Sequence, residues 1–183
     1  MPMKRLFSFS TFLIAGLVLV LFSESGWAQE RGGDSPRISP NAAVSQTIGT
    51  TEVHLTYGRP GVRDRDIFGE LVPYGNVWRA GANESTYISF SDDVLIEGEP
   101  LDAGEYSLYT VPGINEWTVI INSSHSWGTE YDPSADALRI QVEPEEGPFT
   151  EQMMFYFENV SNNSADLVLQ WEETKVPVTI SIP

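Results

Sequence analysis

Hydrophobic and polar residues alternate with a period of two along most of the chain after residue 42. Successive side chains of a β-strand point to opposite faces, so this alternation indicates strands that bury one face. The clearest predicted strands contain Val53-Leu55-Tyr57, Tyr106-Leu108-Thr110, Trp117-Val119-Ile121, Leu138-Ile140-Val142 and Leu167-Leu169-Trp171. Further predicted strands cover residues 43–48, 86–90, 94–96, 153–160 and 175–182.

Clusters of turn residues separate these segments, for example Glu97-Gly98-Glu99-Pro100 and Val111-Pro112-Gly113. No segment keeps a helical period long enough to predict a helix. About ten short strands at this spacing predict an all-β fold, either an antiparallel β-sandwich or a partly open barrel. Because Pro177 has no amide hydrogen, we expect the last strand to lie at an edge or beside a bulge.

The first 28 residues have the features of a secretory signal peptide. Lys4 and Arg5 precede an apolar run at 11–22, and Gly26-Trp27-Ala28 places small residues where a signal peptidase cleaves. The apolar run is well short of the ~20 residues that span a bilayer. We therefore predict a signal peptide at 1–28, a flexible tether at 29–42 and a single β domain at 43–183. The mature protein is expected to be exported to the periplasm or the cell exterior, without membrane association.

Composition narrows the possible partners and cofactors. The chain has 10 Lys and Arg against 26 Asp and Glu, a net charge of −16, which opposes binding to nucleic acid. It has no cysteine, which excludes disulfides, thiolate metal sites and a cysteine nucleophile. Its two histidines are too few for a histidine-rich metal site. We predict neither a metal nor a cofactor, and the sequence indicates no oligomeric state.

The longest interruption of the strand pattern is residues 59–84, which we call the first loop. Loops of this length in a compact domain are usually functional or cover the end of a sheet. It holds four of the ten basic residues: Arg59, Arg63, Arg65 and Arg79. In one interpretation Arg59 or Arg79 binds a carboxylate or phosphate, or stacks on Trp78. In the other, the arginines pair with neighbouring carboxylates and fasten the loop.

A second interruption, residues 122–137, follows the Trp117 strand and is called the second loop. It contains His125, Trp127, Tyr131 and Asp132, residue types that line polar pockets. His125 is either a general base or an exposed loop histidine. The spacing of oxygen ligands from Asp132 to Asp136 faintly resembles a calcium loop, but it lacks the glycine and the distal glutamate. A turn or a short helix capped by Asp132 is the favoured interpretation.

Several short motifs are familiar. They are Ser35-Pro36-Arg37-Ile38-Ser39-Pro40-Asn41-Ala42, Val44-Ser45-Gln46-Thr47-Ile48-Gly49, Thr56-Tyr57-Gly58-Arg59-Pro60, Ile67-Phe68-Gly69, the block from Leu71 to Glu84, and Ala103-Gly104-Glu105-Tyr106-Ser107-Leu108. With these motifs the chain resembles an exported bacterial family known as domain of unknown function 2911. The resemblance extends over essentially the whole mature chain and implies export and a single domain. It implies no activity and no catalytic residues.

Three functions are compatible with these features. In the first, both loops form one pocket that binds a small polar ligand or a carbohydrate. The candidate ligand-binding residues are Arg59, Trp78, Arg79, Asn83, Glu84, Tyr109, His125, Trp127, Tyr131 and Asp132. In the second, the protein is a structural component of the cell envelope without a ligand. In the third, Glu84 and Asp132 act as the paired carboxylates of a hydrolase. Whether the protein is an enzyme is left open, and no catalytic residue is assigned.

Overall fold

The computed structural model describes residues 32, 35–125 and 129–183. The predicted signal peptide and Trp127 lie outside these residues. The described chain forms ten strands, and a short 3₁₀ helix (Pro133–Ala135) precedes the eighth. The strands are β1 (Asn41–Ile48), β2 (Thr51–Gly58), β3 (Thr86–Phe90), β4 (Val94–Ile96), β5 (Glu99–Leu101), β6 (Gly104–Val111), β7 (Trp117–Asn122), β8 (Asp136–Val142), β9 (Glu145–Glu158) and β10 (Ser164–Ser181).

The strands form two antiparallel sheets that do not close into a barrel. One sheet has six strands in the order β1-β2-β3-β6-β7-β8, and the other has four in the order β5-β4-β10-β9. In the larger sheet short turns join β1 to β2 and β6 to β7, whereas the first loop joins β2 to β3 and the second loop joins β7 to β8. Between β3 and β6 the chain passes through β4 and β5 of the other sheet. The predicted all-β fold, an antiparallel β-sandwich, is confirmed.

Two details of the strand prediction were wrong. The segments 167–171 and 175–182 belong to one long strand, β10, whose register against β9 shifts twice between Gln170 and Thr174. Strand β5 was missed because its residues were assigned to a turn. Glu97 and Gly98 both have positive φ angles, 50° and 83°, so a two-residue turn suffices and β5 starts at once.

Pro177 lies inside β10 although that strand is central in its sheet. β10 pairs with β9 from Asp166 to Lys175 and with β4 at Ile180 and Ser181. Pro177 falls between these two ladders, so its missing amide hydrogen leaves no ladder bond unmade.

The core consists of the apolar side chains on the facing sides of the two sheets. Its largest fully buried members include Trp117 and Trp171. Between the sheets the packing leaves a cavity of only about 20 Å³, lined almost entirely by aliphatic side chains. This is close to the size of one water molecule, so a ligand cannot bind inside the sandwich. No helix in the described residues is long and apolar enough to cross a bilayer.

The first loop is anchored to both sheets. Gly61 forms a bridge with Gln152 of β9, and Trp78 forms a bridge with Thr110 of β6. Between these anchors Ile67 is buried in the main core. The loop is therefore a packed cover with a fixed path, and it passes from β9 to β6, a central strand of the larger sheet.

Candidate functional site

The backbone around Trp78 and Arg79 is held on two sides by the larger sheet. Trp78 N donates to Thr110 O at 2.7 Å, and Thr110 N donates to Trp78 O at 2.8 Å. One residue later, Thr86 N donates to Arg79 O at 3.4 Å, and Thr86 Oγ1 donates to Ala80 O at 2.8 Å. These bonds to β6 and β3 make this part of the loop as constrained as a strand.

Because neighbouring side chains of an extended segment point to opposite sides, Trp78 and Arg79 diverge. Trp78 packs inward, where its ring stacks on Trp171 at 5.9 Å and meets the edge of Phe68 at 6.0 Å. Arg79 turns toward the outer face of the sheet, beside Tyr109. Core packing of the tryptophan thus fixes where the arginine lies.

Tyr109 and Tyr131 lie side by side on this outer face. Tyr109 alternates with the core residues Leu108 and Thr110 of β6, and its ring meets Tyr131 edge-on at 5.1 Å. Tyr131 OH donates to Asp136 Oδ2 at 2.6 Å and accepts from Arg139 Nη1 at 2.9 Å. Because the Tyr131 hydroxyl is hydrogen-bonded to Asp136 and Arg139, the ring is the part of this residue that remains available for contact with a ligand.

Asp136 is the centre of the bonds that hold the second loop. It accepts from Asn122 Nδ2 at 2.8 Å and from Arg139 Nη1 at 2.8 Å, in addition to Tyr131. Burial acts against ionisation, but these hydrogen bonds outweigh it and hold the pKa of Asp136 below its ordinary value. Burial and the Asp136 carboxylate raise the pKa of Tyr131. Both groups are therefore locked in one charge state at neutral pH.

The two loops converge on one cleft, which we call the Arg79 cleft. It has a volume of about 210 Å³ and is lined by Val77, Trp78, Arg79, Tyr109, Thr129 and Tyr131. Four candidate residues from the sequence, Trp78, Arg79, Tyr109 and Tyr131, are thus brought together. None of the described lining residues is acidic, whereas a larger cleft of about 460 Å³ elsewhere is lined by five carboxylates and Lys175.

Arg79 differs from the other three arginines of the first loop. Arg59 Nε donates to Met153 O, Arg63 Nη2 to Ile38 O, and Arg65 Nε to Val62 O, so these side chains fasten the loop through carbonyl groups. Neighbouring carboxylates, the partners considered from the sequence, do not pair with them in the described chain. Arg79 Nε is shielded from water and has no hydrogen-bond partner among the described residues. Burial lowers the pKa of this guanidinium, and nearby Tyr109 opposes that shift.

Asn83 and Glu84 point away from the Arg79 cleft and hold the N-terminal segment. Glu84 is buried, and its two oxygens accept from Arg37 Nη1 at 2.7 Å and Nη2 at 2.9 Å. Asn83 Nδ2 donates to Ser39 O at 3.1 Å. This segment lies in the predicted tether, so part of that tether packs against the first loop.

The remaining candidates are placed elsewhere. His125 lies against the ring of Tyr87 at 5.9 Å. Asp132 caps the 3₁₀ helix, accepting from Ser134 N at 2.9 Å, which confirms the predicted helix cap. The described residues hold no group of three or more acidic or histidine side chains placed to bind a metal ion.

The model of a family described as a protein of unknown function, DUF2911, matches residues 39–180. The chain belongs to this family. The resemblance read from the motifs is confirmed. The match spans all six residues of the Arg79 cleft in this DUF2911 protein. No curated protein and no solved structure matches the chain.

Sequence reasoning missed several residues that shape this DUF2911 site. Val77 and Thr129 line the cleft, Arg139 holds Tyr131, and Arg37 binds Glu84. Val77 and Thr129 carry no distinctive chemistry, and Arg37 is separated from Glu84 by 47 positions. Arg139 could have been found, because a hairpin between β7 and β8 brings the start of β8 back to the second loop.

Proposed function

We propose that this protein is an exported binding module that holds a small polar ligand or a sugar in the Arg79 cleft. The observation that carries the proposal is the convergence of both loops on one aromatic cleft. A planar, partly exposed ring such as that of Tyr131 gives a sugar an apolar face to stack on, and nearby polar groups orient it. A volume of about 210 Å³ suits one or two sugar units or a small metabolite.

The rigidity of the walls supports binding. Trp78 is bonded to β6 through its backbone and stacked on Trp171, and Tyr131 is bonded to Asp136. A ligand that enters such a cleft does not have to order its walls, so less of its interaction energy is lost on binding.

Hydrolysis of a glycosidic bond is less well supported. It needs two carboxyl groups on opposite sides of the scissile bond, about 5–10 Å apart. The carboxylates considered for this role are engaged elsewhere, Glu84 with Arg37 and Asp132 with the helix that it caps. Among its described residues the Arg79 cleft supplies no acid. Binding therefore ranks above catalysis.

The proposal can be tested by ligand-observed NMR with a mixture of neutral sugars, acidic sugars and polar metabolites. Val77→Trp places a bulky ring at an exposed position that lines the cleft. Leu71→Trp is the matched control, because it adds the same ring at an exposed position of the same loop outside the cleft. We expect at least one compound to bind the wild-type protein and Leu71→Trp, and to lose binding to Val77→Trp. An absence of any binder at millimolar concentration, or binding that Val77→Trp leaves unchanged, would contradict the proposal.

A further inference from the structure

We infer that the Arg79 cleft selects ligands that carry a carboxylate, and that Arg79 is the residue that recognises it. This inference rests on the proposed function and adds the charge and chemical class of the ligand. The structural basis is a half-buried guanidinium that the described part of the chain leaves without an ion pair or a hydrogen bond at Nε.

The charge distribution makes this arrangement unusual. The chain has 26 acidic residues against 10 basic ones. Arg37, Arg139 and Lys175 each pair with a carboxylate, and the other three arginines of the first loop donate to carbonyl groups. Among the described residues Arg79 has neither kind of partner, although it is partly removed from water, where an unpaired charge is costly. An anion bound beside Arg79 would supply the missing partner.

The surroundings of Arg79 also favour an anion. Its described neighbours in the cleft are the side chains of an aliphatic residue, three aromatic residues and Thr129. The nearest acid bonded to a cleft residue, Asp136, lies behind Tyr131 and is neutralised by Arg139. The negative charge of the rest of the protein acts at longer range and is screened at physiological salt over about 8 Å. Among the described lining residues, Arg79 is therefore the one charged group that a ligand would meet.

A carboxylate fits this site better than a phosphate. A guanidinium presents a planar fork of donors that matches the two oxygens of a planar carboxylate. One guanidinium neutralises one carboxylate, whereas a phosphate carries a charge of up to about −2 and usually recruits several donors. The described cleft holds one cation, Arg79, and no helix begins there.

Two sources could supply the carboxylate: an acidic sugar, such as a uronic acid unit of a polysaccharide, or a free organic acid. The partly exposed rings of Trp78 and Tyr131 offer stacking surface for a pyranose ring, which a short organic acid would not use. The difference in affinity between an acidic sugar and a free organic acid therefore measures the contribution of the aromatic walls. The difference in affinity between an acidic and a neutral sugar measures the contribution of Arg79.

The test is isothermal titration calorimetry of the wild-type protein with three probes: digalacturonate, the neutral digalactose of the same linkage, and lactate. We expect digalacturonate to bind about 10- to 100-fold more tightly than digalactose, the usual value of a charge-assisted hydrogen bond. Arg79→Met should remove this preference. Arg63→Met is the matched control, since it deletes the same charge from the same loop at a site outside the cleft.

A second pair of variants avoids any change to a buried group. Thr129 is exposed and lines the cleft, so Thr129→Glu places a carboxylate beside Arg79, and Thr129→Gln places a neutral side chain of the same shape there. Thr129→Glu should weaken digalacturonate at least tenfold relative to Thr129→Gln. Lactate binding that depends on Arg79, with no binding of either sugar, would support carboxylate selection with a free acid as the source.

The outcomes separate the inference from the proposed function. Equal affinity for digalactose and digalacturonate, unchanged by Arg79→Met, would overturn carboxylate selection and leave a sugar-binding cleft. A preference for digalacturonate that survives both Arg79→Met and Thr129→Glu would also overturn it. No binding of any probe would overturn carboxylate selection, while binding of another compound from the NMR mixture would preserve the proposed function.

Discussion

The ion pair between Arg37 and Glu84 should account for a large part of the stability of the first loop. The two side chains form two hydrogen bonds of 2.7 and 2.9 Å, and their exposed fractions are 22% for Arg37 and 4% for Glu84. Removing Arg37 takes these two donors from a carboxylate that water barely reaches. Loss of one partner of such a pair typically costs 3–5 kcal/mol, so we expect Arg37→Met to destabilise the protein by about 3 kcal/mol.

The reverse change should cost less. In Glu84→Gln the partner left behind is Arg37, which already reaches water, so the loss should be about 1–2 kcal/mol. The double variant should be more stable than Arg37→Met alone, because it no longer buries a carboxylate without these two donors. The free energies of unfolding lost in the two single variants should thus add up to more than the loss in the double variant, as expected for a buried ion pair.

Urea unfolding followed by tryptophan fluorescence measures these differences, and thermal melts give a second estimate. At about 3 °C per kcal/mol for a domain of this size, Arg37→Met should lower Tm by about 10 °C. Arg63→Met is the control, since the Arg63 guanidinium is exposed and donates to a carbonyl group, not to a carboxylate, in the described chain; it should cost less than about 1 kcal/mol. A loss below 1 kcal/mol for Arg37→Met, with additive variants, would refute the reasoning and detach residues 35–40 from the fold.

Three further predictions concern charge. The pKa of Asp136 is lower in the folded than in the unfolded protein, so ionised Asp136 stabilises the fold above about pH 4. This stabilisation is lost as the pH falls through the folded-state pKa. The Tm of Asp136→Asn should therefore fall less than that of the wild-type protein between pH 6 and pH 3. Lys175 lies between Glu145 and Glu158, with Nζ–O distances of 3.2 and 2.7 Å, so Lys175→Met should cost about 1 kcal/mol in urea unfolding, and no loss would mean that water replaces the lysine. With a net charge of −16, Tm should rise from ~0.01 to ~1 M salt, and a flat or falling Tm would show that the charges are compensated locally.

The strands could be predicted because their signal is local. The predicted core triplets in β2, β6 and β7 are all buried, although residues between them, such as Tyr109 and Ile120, are buried as well. The division of these strands between two sheets could not be predicted, since it depends on contacts between distant segments. The register shifts between β9 and β10 show the same limit. From Gln170 to Thr174 of β10 the partners on β9 run from Met154 to Glu146, so the extra residues lie in β9 and cannot be inferred from the sequence of β10.

The candidate site was predictable in part for a similar reason. Arg79 and Tyr131 could be predicted as candidate site residues because both have side chains that commonly bind ligands and both lie in long loops. That they share a cleft follows from the bridge between Trp78 and Thr110, which no local pattern encodes. Glu84 was assigned to the pocket because the carboxylate of a loop near Arg79 is a natural ligand contact. Its actual partner, Arg37, lies 47 positions away, and only the fold brings the two together.

The central claim is that the Arg79 cleft is the ligand site. The most direct test is a crystal structure of the wild-type protein soaked with the mixture of sugars and polar metabolites. The account predicts electron density for a bound compound in the Arg79 cleft, against the ring of Tyr131, with an acidic group against the Arg79 guanidinium. Density confined to another surface, such as the acidic cleft around Lys175, with the Arg79 cleft empty, would contradict it.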